Sequence, residues 1–151
     1  MKMNRGQKGT GRSETQDRRG LEVFHLHAVV ELTCDPSAAR DARSFVLEVL
    51  AELDAGVCSE DAELLMSEVA TNTVKYGRCR STFVSAWVSD GVVRFEVTDA
   101  NVEPPVRRNP TPGEFGGRGL RLLDQLASRW GYRLAPHGKT VFFELQMEVT
   151  P

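Results

Sequence analysis

The sequence has no apolar run close to the ~20 residues that a membrane-spanning helix requires, and no secretory hydrophobic segment follows its N-terminus. We therefore expect a cytoplasmic protein without membrane contacts. Aromatic residues are also few, at 7% of the 151 residues, although 40% of the residues are hydrophobic and 26% are charged. This length and composition predict one globular domain with a sizeable core.

Paired cysteines are missing as well. Cys34, Cys58 and Cys79 are odd in number and include no C-x-x-C motif, and the three histidines show no metal-ligand spacing with them. A zinc site is therefore not expected. We predict reduced thiols with a structural role.

Apolar residues are nearly absent from the first twenty positions, which carry six Lys or Arg and two acidic residues. Such a segment buries too little apolar surface to offset the entropy lost on ordering. Residues 1–20 are therefore predicted to form a disordered basic tail, and residues 21–151 the domain. Removing the tail from the totals of 19 basic and 21 acidic residues leaves 13 and 19, so the domain is acidic and no direct nucleic-acid contact is expected.

Hydrophobic periodicity and turn residues predict the element order β-α-α-β-β-loop-α-β-β. This order has too few crossovers for a doubly wound sheet. We predict an α+β fold with two layers, in which a mixed, mostly antiparallel sheet carries its helices on one face. The predicted elements are residues 23–32 (strand), 36–53 and 59–76 (helices), 80–99 (a hairpin around Asp90-Gly91), 119–130 (helix), and 131–135 and 140–149 (strands).

The helix predicted over residues 59–76, with Ser59 as its N-cap and Gly77 as its stop, has two polar residues at its apolar stripe. At 100° per residue, Asn72 falls in the middle of the stripe and Glu68 on its edge. Taken alone, Asn72 is best explained as a hydrogen-bonded core amide and Glu68 as an edge carboxylate paired with a base. The stripe consists of Ala62, Leu65, Val69 and Tyr76.

Three further stretches suggest ligand chemistry. VTDAN ends a strand at Asp99, whose carboxylate can accept from a ligand amine or simply start the next loop. GEFGGRGLRLL places glycines before a helix, whose free N–H groups favour an anion, although a flexible start to the helix explains these glycines about as well. HGKT resembles the end of a P-loop. However, Arg133 occupies the position of the first P-loop glycine, and a strand rather than a helix is predicted to follow, so we reject that motif.

Four stretches occur in the order and approximate spacing of the N, G1, G2 and G3 boxes of the GHKL ATPase superfamily: SEVATNTVKYG, VTDAN, GGRGL and GKTVFFEL. Within it the chain most resembles the short anti-sigma-factor serine/threonine kinases of actinobacteria, also called histidine-kinase-like ATPases. The resemblance covers residues 24–145, and four boxes in register make it specific although each alone is degenerate. It implies a Bergerat-type ATP-binding fold.

The resemblance implies a role for each matching residue, with ATP and Mg²⁺ as cofactors. Asn72 would coordinate the Mg²⁺ that bridges the phosphates, and Glu68 would be the general base. Asp99 would accept a hydrogen bond from the adenine amine, and Thr140 would support that contact directly or through water.

The glycine-rich stretch would meet the phosphates, mostly through backbone N–H groups. Residues 101–116 would form a lid over the nucleotide. Asn101 stands where the G1 box usually has Gly, and we expect it to tolerate the turn next to the nucleotide because Asn adopts left-handed backbone angles more readily than most residues. The residues implied at the phosphates are Gly117, Arg118, Gly119 and Leu120.

The resemblance thus implies a protein serine/threonine kinase that acts as an anti-sigma factor. It would phosphorylate a Ser or Thr of a STAS-type anti-sigma-factor antagonist and also bind a sigma factor. Homodimerisation is implied by the resemblance alone. The alternative is a non-catalytic nucleotide-binding adaptor that sequesters a regulatory protein, which Asn101 favours and the intact pair of Glu68 and Asn72 opposes.

Overall fold

The structure is a computed structural model that describes residues 3–5, 23–102 and 119–148. Within these residues, six strands form one sheet in the order β1-β2-β3-β4-β6-β5, and each neighbouring pair is antiparallel. The predicted sheet with its helices is confirmed, and its described pairs are antiparallel throughout rather than mixed. The strands are β1 (Met3–Arg5), β2 (His25–Thr33), β3 (Ser81–Ser89), β4 (Val92–Asp99), β5 (Arg129–Ala135) and β6 (Gly138–Gln146), and the helices are α1 (Ala38–Leu53), α2 (Ser59–Tyr76) and α3 (Gly119–Leu126).

The hydrophobic core lies between one face of the sheet and the helices. Side chains of a strand alternate between its two faces, so Val93, Phe95 and Val97 of β4 all point to the helices, and all three are buried. Phe95 packs edge-on against Phe45 of α1 at 6.5 Å and against Phe143 of β6 at 5.5 Å between ring centroids. Strands β4 and β6 are thereby tied to the helical layer. None of the described helices is long and apolar enough to span a bilayer.

Three helix boundaries differ from those predicted. Helix α1 begins at Ala38, with Ser37 at the N-cap position, rather than at residue 36. Helix α2 begins at Ser59 itself, and Cys58 occupies the N-cap position without a side-chain hydrogen bond, so the prediction of Ser59 as the cap is wrong by one residue. Helix α3 ends at Leu126, and Trp130 lies in β5 opposite Phe143 rather than in the helix. Pairing with β6 outweighs the local helical period there, because sheet hydrogen bonds and aromatic packing both favour the strand.

Strand β1 falls inside the segment predicted to be a disordered tail. It pairs with β2, with Met3 opposite Val30 and Arg5 opposite Ala28. Without β1, β2 would be an edge strand with a row of free N–H and C=O groups. Pairing with β1 gives these groups hydrogen-bond partners, and amino-acid composition does not indicate such pairing. The prediction of disorder is therefore wrong for residues 3–5. The rest of residues 1–20 lies outside the described part, and the domain boundary stays a prediction.

The opposite face of the sheet contains a buried cluster of charges. Arg94 is only 2% exposed and donates from Nε to Oε1 of Glu144 at 2.9 Å. Its guanidinium carbon lies 4.1 Å from the ring centroid of Phe24 and 4.5 Å from that of Phe142. Glu96, also buried, accepts from Arg133 at 3.0 Å through both oxygens. Each buried charge therefore has an opposite charge beside it, which such burial requires.

Replacing Glu144 with Gln should lower the free energy of unfolding by about 3 kcal/mol, because the buried Arg94 loses its main counter-charge. Urea unfolding monitored by circular dichroism measures this change. Glu31→Gln is the matched control, since Glu31 is exposed on β2, and should stay within about 0.5 kcal/mol of the wild type. Equal stabilities for the two variants would show that the buried ion pair contributes no more than a surface carboxylate.

Candidate functional site

Glu68 and Asn72 lie one turn apart on the C-terminal half of α2, so their side chains project from the same side of the helix. Both residues are partly buried. Atom Oε2 of Glu68 is shielded from solvent, and no residue in the described part of the chain is hydrogen-bonded to it. Buried polar atoms without partners are costly and rare, and they concentrate at functional sites. This oxygen is therefore available to a ligand or a reacting group.

The buried stripe of α2 is rotated relative to the predicted one. Thr73 is 4% exposed and belongs to the stripe, whereas Tyr76 is 38% exposed and does not, so Asn72 lies beside the stripe rather than in its middle. Thr73 can be buried because its hydroxyl donates to the carbonyl oxygen of Val69 at 3.1 Å. The sequence pattern treated threonine as polar and so missed this position. The buried residues of α2 are Ala62, Leu65, Met66, Val69, Ala70 and Thr73.

Asp99 ends β4 and is buried, with 7% of its surface exposed. Its Oδ1 accepts from the backbone N–H of Asn101 at 2.8 Å, and its Oδ2 lies 3.7 Å from Nζ of Lys139. Burial away from water raises the pKa of the Asp99 carboxyl, although the Asn101 N–H and the Lys139 ammonium oppose this rise. The carboxylate is thus fixed in position and removed from bulk water.

Two glycines allow other backbone segments to approach Asp99 closely. The Ala100 N–H donates to the carbonyl oxygen of Gly77 at 3.0 Å, which brings the end of α2 against the end of β4. A Cβ on Gly77 would lie 2.4 Å from the Thr73 carbonyl oxygen and 2.9 Å from Cβ of Asp99. A Cβ on Gly138 would lie 2.1 Å from the Asp99 carbonyl oxygen. Gly77 does end the helix as predicted, but with a φ of −75°, so close packing rather than a left-handed backbone requires glycine there.

Asn101 connects the G1 box to the N box. Its Nδ2 donates to the carbonyl oxygen of Tyr76 at 2.8 Å, so it satisfies a carbonyl group at the end of α2. Among the described residues other than glycine, only Asp54 and Arg78 have a positive φ, so Asn101 does not use the left-handed region that we expected. The hydrogen bond to Tyr76 explains why an amide side chain stands at this position. A direct contact between Asn101 and nucleotide stays a prediction.

Thr140 does not lie beside Asp99. Its Oγ1 is 2.9 Å from Oγ1 of Thr98, its partner across the β4–β6 pair, and these two threonines lie on the sheet face opposite to the Asp99 side chain. The residue paired with Asp99 is Lys139. Thr140 therefore does not contact Asp99 directly, and its support of the adenine contact stays a prediction. Lys139 was missed because the G3 box was matched through Thr140, and Lys139 itself was considered only as part of the rejected P-loop. Antiparallel register counted from Asp99 would have identified it.

The phosphate-binding stretch is described only in part. Gly117 and Arg118 lie outside the described residues, as do residues 103–116 of the predicted lid. Gly119 and Leu120 begin α3, where the first N–H groups have no partner inside the helix. The Leu120 side chain is buried in the core, which leaves its backbone N–H as the group that could face an anion. Helix α3 packs against α2, the helix that carries Glu68 and Asn72.

A family model described as the histidine kinase-like ATPase domain matches residues 32–145. The chain belongs to the histidine kinase-like ATPase domain family. This confirms the family predicted from the four boxes, and its fold is the one described above. ATP binding is a property of the family as a whole. No curated protein matches the chain.

Among solved structures, this histidine kinase-like ATPase domain is similar to the RsbU and RsbW domains of Rv1364c from Mycobacterium tuberculosis. The TM-score is 0.57 and the identity 23%, over 79% of this chain and 32% of that chain. At this identity the similarity shows the fold alone. The chain spans about a third of the length of that neighbour.

The described residues suit a nucleotide. Asp99, which we predicted to accept from the adenine amine, is buried between glycines that keep side chains away from its backbone. Asn72 supplies an amide oxygen of the kind that Mg²⁺ accepts, one turn from the unpartnered oxygen of Glu68. The three residues lie on two elements, α2 and β4, and their roles at a nucleotide stay predictions.

The raised pKa of Asp99 predicts how stability depends on pH. A carboxyl whose pKa is higher in the folded than in the unfolded state stabilises fully below its unfolded value, near 3.8, and this contribution is lost as pH rises through the folded value. In Asp99→Asn this titration is absent, while Oδ1 can still accept from Asn101. The stability of the wild type relative to Asp99→Asn should therefore fall as pH rises from 3.8 towards neutrality. Urea unfolding of both proteins across that range measures it, and a relative stability that rises with pH would contradict the sign.

Proposed function

We propose that the protein is an ATP- and Mg²⁺-dependent protein serine/threonine kinase that acts as a cytoplasmic anti-sigma factor. The observation that carries the proposal is the buried, unpartnered oxygen of Glu68 beside Asn72. Membership of the histidine kinase-like ATPase family supports nucleotide binding. The four sequence boxes and the fold-level similarity to RsbW support the kinase class.

In the proposed reaction Glu68 accepts the proton of the attacking Ser or Thr hydroxyl, since one of its oxygens is buried and has no hydrogen-bond partner among the described residues. Asn72 holds Mg²⁺ through its amide oxygen, and Asp99 accepts from the exocyclic amine of adenine. When bound, ATP with Mg²⁺ supplies the phosphoryl group and the positive charge that stabilises its transfer. Burial of Asp99 strengthens this recognition, because a hydrogen bond to a carboxylate is worth more away from water.

We propose a STAS-type anti-sigma-factor antagonist as the phosphoryl acceptor and a sigma factor as the second partner, with the protein acting as a homodimer in the regulation of transcription. The sequence boxes and the RsbW-like fold support these partners. The nucleotide state would then decide which partner is held, since ordering of the lid over bound nucleotide changes the adjacent surface.

One observation favours the alternative of a non-catalytic adaptor. The Lys139 ammonium lies 3.7 Å from the Asp99 oxygen that faces it, and both side chains are buried. An adenine amine must share that carboxylate with a cation already in place, which lowers the affinity expected for ATP. An adaptor with weakened nucleotide binding would retain the same fold.

Glu68→Gln should reduce phosphoryl transfer to the cognate antagonist by at least about 100-fold, because the amide cannot accept the hydroxyl proton. Binding of ATP should change little. The rate is measured with radiolabelled ATP and the antagonist that co-purifies with the protein. Glu60→Gln is the matched control, because Glu60 is exposed on the first turn of the same helix. Transfer by Glu68→Gln at the rate of the Glu60→Gln control would remove Glu68 as the base.

Asn72→Ala should weaken ATP binding in the presence of Mg²⁺ by roughly tenfold or more, since it removes the proposed protein ligand of the ion. Isothermal titration calorimetry with and without Mg²⁺ should show that the wild type binds more tightly with the ion and that the variant gains little from it. A wild type that binds ATP but transfers no phosphate to any co-purified partner would favour the adaptor. Absence of heat at millimolar ATP would exclude the kinase.

A further inference from the structure

Two of the three cysteines are in direct contact. The Sγ atoms of Cys34 and Cys79 lie 2.6 Å apart, although 45 residues separate them in the chain. Both thiols are free and only partly buried, so a small oxidant can reach them. Cys58, the third cysteine, is exposed at the N-terminal end of α2. The composition of the sequence predicted structural thiols but did not indicate that two of them meet.

Sheet pairing brings the two sulfur atoms together. Cys34 directly follows β2, and its backbone N–H donates to the carbonyl oxygen of Arg80 at 2.8 Å. This bond extends the β2–β3 ladder by one residue beyond the pair of Thr33 and Ser81. Cys79 precedes Arg80 in the loop between α2 and β3. This hydrogen bond holds the Cys34 backbone beside the residue that follows Cys79.

We propose that Cys34 and Cys79 form a thiol modification site that closes to a reversible intramolecular disulfide when a hydroperoxide is present. Hydrogen peroxide oxidises one thiol to a sulfenic acid and is itself reduced, releasing one water. The second thiol attacks that sulfur, so that the S–S bond forms, the S–O bond breaks and a second water leaves. Two thiols and one peroxide thus give one disulfide and two waters, and a dithiol reductant restores both thiols.

The surroundings of Cys34 favour the protonated form of its thiol. Burial raises the pKa of the Cys34 thiol to about 12, and the facing Cys79 together with the charges of Asp99 and Asp35 adds to this rise. Cys34 therefore remains protonated at neutral pH.

The disulfide would fix a loop that borders the candidate site. Residues 77–80 join α2 to β3, and their first residue, Gly77, packs directly against Asp99. A covalent link from this loop to the end of β2 restricts its movement relative to the sheet. Any effect of the link on ATP binding rests on the proposed function, whereas the link itself does not.

Treatment of the full chain with hydrogen peroxide tests the site without nucleotide or partner. In the wild type the free thiols should fall from three to one, and the intact mass should fall by two hydrogen atoms. Digestion without reductant should yield one cross-linked peptide pair that contains Cys34 and Cys79. Dithiothreitol should restore the three thiols.

Cys58→Ser is the matched variant, because it leaves the pair intact and should pass from two free thiols to none. Cys34→Ser and Cys79→Ser should each form no intramolecular disulfide. A Cys58→Ser protein that keeps both thiols, or that is oxidised to sulfinic acid without linking, would overturn the proposal. A wild-type link that includes Cys58 would overturn it as well. The result does not depend on kinase activity, so failure of this site and failure of the proposed function remain distinguishable.

Discussion

The end of β4 can lie against the end of α2 only because no side chain stands between them. Gly77 leaves that space to Asp99, and Gly138 at the start of β6 leaves room for the Asp99 carbonyl group on the other side. The hydrogen bonds from Ala100 to Gly77 and from Asn101 to Tyr76 then hold strand and helix together. These contacts between the ends of β4 and α2 help to set the orientation of α2 on the sheet. That orientation places the polar residues of α2.

The geometry of the candidate site follows from the contact between the end of β4 and the end of α2. Asn72 lies about one turn and Glu68 about two turns before the C-terminal end of α2, so their positions relative to Asp99 are set by the same contact. The site thus combines an amide and a carboxylate from a helix with a second carboxylate from a strand end. Because the three side chains lie on a helix and a strand, a rigid scaffold holds groups that are distant in sequence. A binding or catalytic site requires such fixed positions.

Buried charges on the two faces of the sheet differ in how they are balanced. On the face away from the helices, Arg94 and Glu144 are paired, and aromatic rings cover the guanidinium, so the cluster has a structural role. On the helical side, the described residues leave one Glu68 oxygen without a partner, and Asp99 is only partly balanced by Lys139. An unbalanced buried group destabilises the folded protein, and such groups concentrate at functional sites.

The sequence by itself determined the family, the central hairpin, the two long helices and the pair of Glu68 and Asn72, because periodicity, turn residues and short motifs are local properties of the chain. Only the tertiary structure decided that Lys139 rather than Thr140 faces Asp99, and that Trp130 lies in a strand. It also decided that residues 3–5 form a strand and that Cys34 meets Cys79. Each of these depends on the register between segments distant in sequence, where a shift of one residue moves a side chain to the other face of the sheet.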